Sequence, residues 1–189
     1  MEQTALTPDF TLLERAEAFG PFNATLCFQC RKCTNGCPAS FEMDIFPDRI
    51  IRLAVLGQTD EILQSKTIWI CASCETCTTR CPNGVRIAEL MDYFKEMAVR
   101  AGVAPALPRV AAFHKAFLEN IRIGGRVFEG ALLPAWWLQS GQIGEKLRTG
   151  ELRNDVRQAL GLLGKKRMRL APRRIKGISK VRAILRSSR

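Results

Sequence analysis

Histidine is almost absent from this sequence: His114 is the only one in 189 residues. The chain offers no nucleophile–base arrangement around it, and one histidine is little material for a mixed Cys/His zinc site. There is no Gly-rich phosphate loop of the G-x-G-x-x-G type either. Long apolar runs are also missing. The longest candidate, residues 131–138, contains Pro134 and falls far short of the ~20 residues a membrane span needs. The opening Met1-Glu2-Gln3-Thr4 has neither the basic stretch nor the apolar core of a secretory signal, which predicts a cytoplasmic protein. No long alternating pattern of the β type occurs, so the expectation is a mainly α fold.

Two further absences are regional. No cysteine follows Cys81, and acid is scarce after Glu145: residues 146–189 hold 15 Lys/Arg against 2 Asp/Glu, a balance of +13. Residues 1–145 hold 14 Lys/Arg against 16 Asp/Glu, a balance of −2. The formal net charge of +11 therefore belongs to the tail. With 47% hydrophobic and 25% charged residues, wholesale disorder is excluded. The division predicted is a cysteine-bearing domain over 1–102 and a helical extension with a basic docking tail over 103–189.

What is present in strength is cysteine. All eight lie between Cys27 and Cys81, in two runs: Cys27-Phe28-Gln29-Cys30-Arg31-Lys32-Cys33-Thr34-Asn35-Gly36-Cys37-Pro38 and Cys71-Ala72-Ser73-Cys74-Glu75-Thr76-Cys77-Thr78-Thr79-Arg80-Cys81-Pro82. Both read C-x2-C-x2-C-x3-C-P, the bacterial ferredoxin run for [4Fe–4S] clusters. Three thiolates at two-residue gaps let one tight loop wrap a cubane. The fourth cysteine lies beyond that loop, and the proline turns the chain away. Zinc ribbons use C-x2-C pairs rather than triplets with a trailing Cys-Pro, and eight cysteines in a chain with no export signal make a poor disulfide framework. Two [4Fe–4S] clusters are therefore expected. In two-cluster ferredoxins the fourth cysteine ligates the other cluster. Carried onto this sequence, one cluster takes Cys27, Cys30, Cys33 and Cys81, and the other takes Cys71, Cys74, Cys77 and Cys37.

The 33 residues between Cys37 and Cys71 carry helical signals. Pro47 suits a first turn, Ile50, Ile51, Ala54 and Val55 recur at helical spacing, and Gly57 suits a terminus. Asp60 is placed to cap a second short helix containing Ile62 and Leu63. After the second run, Val85, Ala88, Met91, Phe94 (or Met97) and Ala101 form a stripe ending at Gly102. The fold class predicted is mainly α: a helical two-[4Fe–4S] ferredoxin-like domain of the respiratory iron–sulfur subunit type, with a helical C-terminal extension.

At this point the sequence resembles the C subunit of heterodisulfide reductase. The resemblance rests on Leu26-Cys27, Ile68-Trp69-Ile70-Cys71 and Cys81-Pro82-Asn83-Gly84-Val85. Beyond the cysteines it rests on Phe113-His114-Lys115-Ala116-Phe117, Gly125-Arg126-Val127-Phe128-Glu129 and the closing Ala171-Pro172-Arg173-Arg174-Ile175-Lys176-Gly177. It implies a protein without a substrate site of its own, relaying single electrons from a flavin-containing A subunit to a catalytic B subunit that reduces a disulfide. Two rival readings are an iron–sulfur subunit of a quinone-linked or membrane-associated dehydrogenase, and a nucleic-acid-binding protein with structural clusters. Against the last, the tail lacks a recognisable nucleic-acid motif, so the partners expected are protein subunits and no nucleic acid.

Single residues outside the cysteines read more plainly. His114 sits among Phe113, Phe117, Leu118 and Ile121 as a packed or interface histidine. Trp136 and Trp137 suit a core or a subunit interface. Ile175, Ile178, Val181 and Ile184 or Leu185 stripe the basic tail as a docking helix would. Arg31 and Lys32 are expected as surface charges beside the first cluster. Two oxidised clusters on eight thiolates add −4, so the loaded chain carries about +7.

Overall fold

The computed structural model describes residues 7–167, 171–172 and 175–187. The opening run Met1-Glu2-Gln3-Thr4, Arg173 and Arg174 of the closing run, and tail residues 168–170 and 188–189 lie outside that range. No strand occurs among the described residues. The chain divides into two compact units, Met1–Leu107 and Pro108–Arg189.

Among its described residues the first unit contains seven α-helices: α1 (Thr11–Phe19), α2 (Lys32–Asn35), α3 (Pro47–Val55), α4 (Thr59–Leu63), α5 (Thr67–Ile70), α6 (Thr76–Arg80) and α7 (Ile87–Arg100). α3 begins at Pro47, whose missing N–H and preset φ suit a first turn. The chain leaves α3 through Leu56 and Gly57, the latter at φ +70°. That glycine does more than end a helix. A Cβ there would stand 1.7 Å from the Asp9 carbonyl oxygen, because the segment before α1 runs against this corner. The Asp9 N–H donates to the Leu56 carbonyl at 3.1 Å.

α7 is the central post. Ile87, Ala88, Leu90, Met91, Phe94 and Ala98 are buried on one face, at the i, i+3, i+4, i+7 spacing of an amphipathic helix. Ile62 and Leu63 of α4 and Ile68 and Trp69 of α5 lie on helices that pack against it, and α1, with Leu12 and Ala16 buried, and α4 pack against α3, which buries Ile50, Ile51 and Ala54. Three sequence expectations are corrected here. Val85 is buried but precedes the helix. The stripe closes on Ala98, leaving Met97 half-buried and Ala101 exposed, because the helix turns 100° per residue and the core ends a turn early. Asp60 is not the cap of α4: Gln58 holds that position, and Asp60 lies in the first turn, where its charge still meets the helix's positive end.

The second unit contains α8 (Pro108–Gly124), α9 (Glu129–Gln139), α10 (Gln142–Thr149), α11 (Glu151–Gly164) and α12 (Ile178–Ser187). α8 and α9 fold back on each other. The Asn120 side chain accepts from the Phe128 N–H at 2.7 Å and donates to the Phe128 carbonyl at 3.2 Å, closing the turn between them. Further along, Trp136 meets Phe113 edge-on at 5.5 Å, and its indole N–H donates to the Arg109 carbonyl. Lys146 lies over the Trp137 ring and pairs with Asp155 at 2.6 Å. His114 is half-buried beside Phe113.

The apolar stripe of the tail is used inside this unit. α12 packs on α8, with Ile178, Val181 and Leu185 half-buried and Ile184 exposed. Ile175 precedes that helix and lies against Gly125. Arg182 donates to the carbonyls of Arg122 and Ile123, which the end of α8 leaves without intrahelical partners. α8 covers part of that stripe and leaves Ile184 exposed. Among the described residues of the basic region, Arg148, Arg153, Arg157, Lys165, Lys166, Lys176 and Lys180 are exposed.

Candidate metal centres

The two cysteine runs fold as copies of one another. In the first, Gln29 and Arg31 take left-handed backbone conformations, φ +60° and +63°. In the second, Ser73 and Glu75 do the same at +51° and +60°. None of the four is glycine, so each carries the cost of an L-residue at positive φ, of order 1 kcal/mol. Positive-φ residues interleaved in a loop can turn successive N–H groups to one side, as in the anion-binding concavities of many Fe–S sites. A one-turn helix follows each loop, α2 after Arg31 and α6 after Glu75, and these two pack together. Cys33 and Cys77 are the second residues of those helices.

The cysteines surround two hollows. Cys27, Cys30, Cys33 and Cys81 line the first, about 330 Å³ including its mouth, together with Gln29, Asp48 and Ile51. Cys37, Cys71, Cys74 and Cys77 line the second, about 450 Å³, together with Met43, Pro47 and Met91. Each hollow thus has three cysteines of one run and the last cysteine of the other. Ile87 contributes to both walls, so the hollows are neighbours.

Hydrogen bonds explain this exchange. The segment after the second run is tied to the approach to the first: the Asn83 side-chain amide donates to the Leu26 carbonyl, and the Arg86 N–H donates to the Phe22 carbonyl at 3.0 Å. Glu17 accepts from the N–H groups of Phe22 and Ala24, shaping that approach. Conversely, the segment after the first run is tied to the approach to the second. Asp44 accepts from the N–H groups of Lys66 (2.8 Å) and Thr67 (3.1 Å) and from the Thr67 hydroxyl. The Ile45 N–H donates to Thr67 Oγ1 at 3.1 Å. Asp44 thereby caps α5, the helix that delivers Cys71.

The donor chemistry suits clusters rather than lone ions. Among the described residues, no three His, Cys, Asp or Glu converge closely enough to hold one metal ion. The sulfurs ring a space instead, as four irons require and one zinc does not. Burial pushes the Cys33 and Cys71 thiols up. Burial and the neighbouring Cys71 push Cys77 to about 11. Cys74 at the surface is drawn down by hydrogen bonds with Thr76. Thiolates in such walls need a cationic core to stay ionised. Donors to sulfur are already in place: the Gln29 amide reaches Cys27 Sγ at 3.2 Å, and the Val85 N–H reaches Cys81 Sγ at 3.4 Å.

A family model described as "4Fe-4S dicluster domain" matches residues 23–85. Those residues are a 4Fe-4S dicluster domain. The span opens just before Cys27 and closes just after Cys81. Curated relatives point the same way. The C subunit of the H(2):CoB-CoM heterodisulfide,ferredoxin reductase of Methanothermobacter marburgensis is 37% identical over 101 residues, covering 53% of this chain and 55% of the relative. The iron-sulfur C subunit of the CoB--CoM heterodisulfide reductase of Methanopyrus kandleri is 32% identical over 114 residues, 57% and 59% of the two chains. A C subunit of the Ferredoxin:CoB-CoM heterodisulfide reductase of Methanosarcina acetivorans is 34% identical over 77 residues, 41% and 31%. The chain thus spans a little over half the length of the first two relatives. A dicluster domain shared with subunits of these reductases supports an electron-transfer role. Among the described residues no helix is long and apolar enough to cross a membrane.

Four residues of the first unit escape motif reading. Thr34 and Asp48 hydrogen-bond side chain to side chain, and the Asp48 N–H donates back to Thr34 at 3.3 Å. Arg31 pairs with Asp48 at 3.6 Å. Lys95 donates to the Cys71 carbonyl at 3.2 Å and pairs with Asp92 at 3.3 Å. The bonds that tie Asp44 and Lys95 to the second run cross 22 to 24 residues of sequence.

Proposed function

We propose that the chain is the electron-relaying subunit of a heterodisulfide-reductase-like complex. In this reading Cys27, Cys30, Cys33 and Cys81 hold one [4Fe–4S] cluster and Cys37, Cys71, Cys74 and Cys77 hold the other. The observation that carries it is the pair of hollows, each lined by one loop's three cysteines and the other run's fourth. A bound [4Fe–4S] cluster takes up and gives up single electrons. The chain's own residues do the rest. The left-handed loops aim N–H groups inward, Gln29 and Val85 donate to sulfur, and Ile51, Met43 and Met91 keep water from the inner walls. Ile87 keeps the sites close enough for an electron to pass between them. The relatives are named as subunits of reductases, which supports a multisubunit assembly. Its other members in this reading are a flavin-containing A subunit on one side and a disulfide-reducing, catalytic B subunit on the other.

The test is anaerobic purification of the native chain with its partners. About eight irons per chain and two S = 1/2 signals on reduction are expected, with a flavoprotein and a cysteine-rich subunit in the same complex. Zinc, or iron for one cluster only, refutes the cluster reading. A co-purifying membrane cytochrome replaces the partner reading with the quinone-linked one.

A further inference from the structure

Charges of opposite sign stand at the two hollows: buried Asp48 in the wall of the first, and half-buried Lys95 against the Cys71 backbone of the second. At the first, the Asp48 carboxylate forms part of the wall with a side chain only 7% exposed, while its partner Arg31 is 61% exposed. At the second, the Lys95 side chain is 16% exposed and its ammonium is bonded to the Cys71 carbonyl, while the side chain of its partner Asp92 is 51% exposed. In each pair the more exposed member is the more strongly screened by water and salt. Lys32, which also borders the first hollow, is exposed like Arg31. Adding an electron to a site is opposed by a buried anion and favoured by a buried cation.

Resting on the cluster reading above, we infer that Asp48 and Lys95 order the two sites in reduction potential. The site of Cys37, Cys71, Cys74 and Cys77 is the more easily reduced, and the site of Cys27, Cys30, Cys33 and Cys81 the less. An electron entering at the first site passes downhill to the second and rests there. Neither residue ligates iron; both are positioning residues acting through their fields.

The experiment is an EPR-monitored redox titration of the full, cluster-loaded chain, as wild type and as Asp48→Asn, Lys95→Met and Lys95→Arg. Wild type is expected to show two one-electron midpoints separated by at least a tenfold difference in reduction equilibrium, which is 59 mV. Lys95→Met lowers the upper midpoint by about tenfold and leaves the lower, whereas Lys95→Arg leaves both. Asp48→Asn raises the lower midpoint and leaves the upper. A Lys95→Met protein with unchanged midpoints, or with the lower one displaced, overturns the inference. So does an Asp48→Asn protein whose upper midpoint moves. Lys95 lies outside both cysteine loops, so its variants decide the matter even where Asp48→Asn loses iron. Iron is counted in wild type first: fewer than about eight irons per chain overturns the cluster reading itself, and the inference falls with it for that separate reason.

Discussion

Asp44 joins the two cysteine loops without touching either cluster site. Its carboxylate receives the N–H groups of Ile45, Lys66 and Thr67 and the Thr67 hydroxyl. Burial works against its ionised form, but these donors outweigh it and hold the carboxyl below its ordinary 3.8. A depressed carboxylate stabilises the fold above its unfolded pKa and loses that contribution as pH falls through the folded value. Asp44→Ala should cost about 1 kcal/mol at pH 7, the usual loss for a helix cap. Urea unfolding of wild type and variant at pH 7 and pH 3 checks this, and the gap between them should narrow at the lower pH. The cysteines could be read from spacing because their ligand role is local in sequence. Asp44, Asp48 and Lys95 could not, since their partners lie 22, 14 and 24 residues away and no interval of that size forms a motif. His114, Trp136 and Trp137 are legible only as packing or interface groups.

At the scale of elements, legibility follows length. α3 and α7 carry several turns of 3.6-residue spacing, so Pro47, Ile50, Ile51 and Ala54, and then Ala88, Met91 and Phe94, mark their buried faces. α2, α5 and α6 are single turns with no period to detect, and their positions follow instead from the shape of the cysteine loops. The α7 stripe drifted at its end because sequence cannot show where the opposing core stops. Gly57 was readable as a terminator but not as a point of close approach. Any side chain there must displace the Asp9 carbonyl and also adopt positive φ. Gly57→Ala should therefore cost roughly 3 kcal/mol, combining left-handed strain with overpacking against backbone. Gly84→Ala is the control: it shares positive φ, but its Cβ meets nothing within 4 Å, so it should cost about 1 kcal/mol. Thermal unfolding of the pair separates the two contributions, and equal losses would remove the close-approach argument.

Over the whole molecule, chemistry and charge are segregated. The dicluster domain sits in a unit with a deep core, whereas among the described residues of the second unit only Ala116, Leu132 and Gln142 are buried. The basic excess lies in that second unit, where α8 covers part of the tail's apolar stripe and Ile184 stays exposed. Inside the first unit, the exchange of fourth cysteines makes each site depend on both runs: Asn83 and Arg86 bind one crossing, Asp44 and Thr67 the other. If Cys81 serves the first site, Cys81→Ser should halve the iron and leave the cluster beside Lys95. Cys37→Ser should halve it as well and leave the cluster beside Asp48. Iron content alone does not distinguish crossed from uncrossed ligation, but potential does. Adding Lys95→Met should lower the midpoint of the cluster that survives in Cys81→Ser and leave unmoved the one that survives in Cys37→Ser. The reverse pattern would assign each fourth cysteine to its own run, and would mean that the hydrogen bonds joining the two halves hold the fold together without setting the ligands.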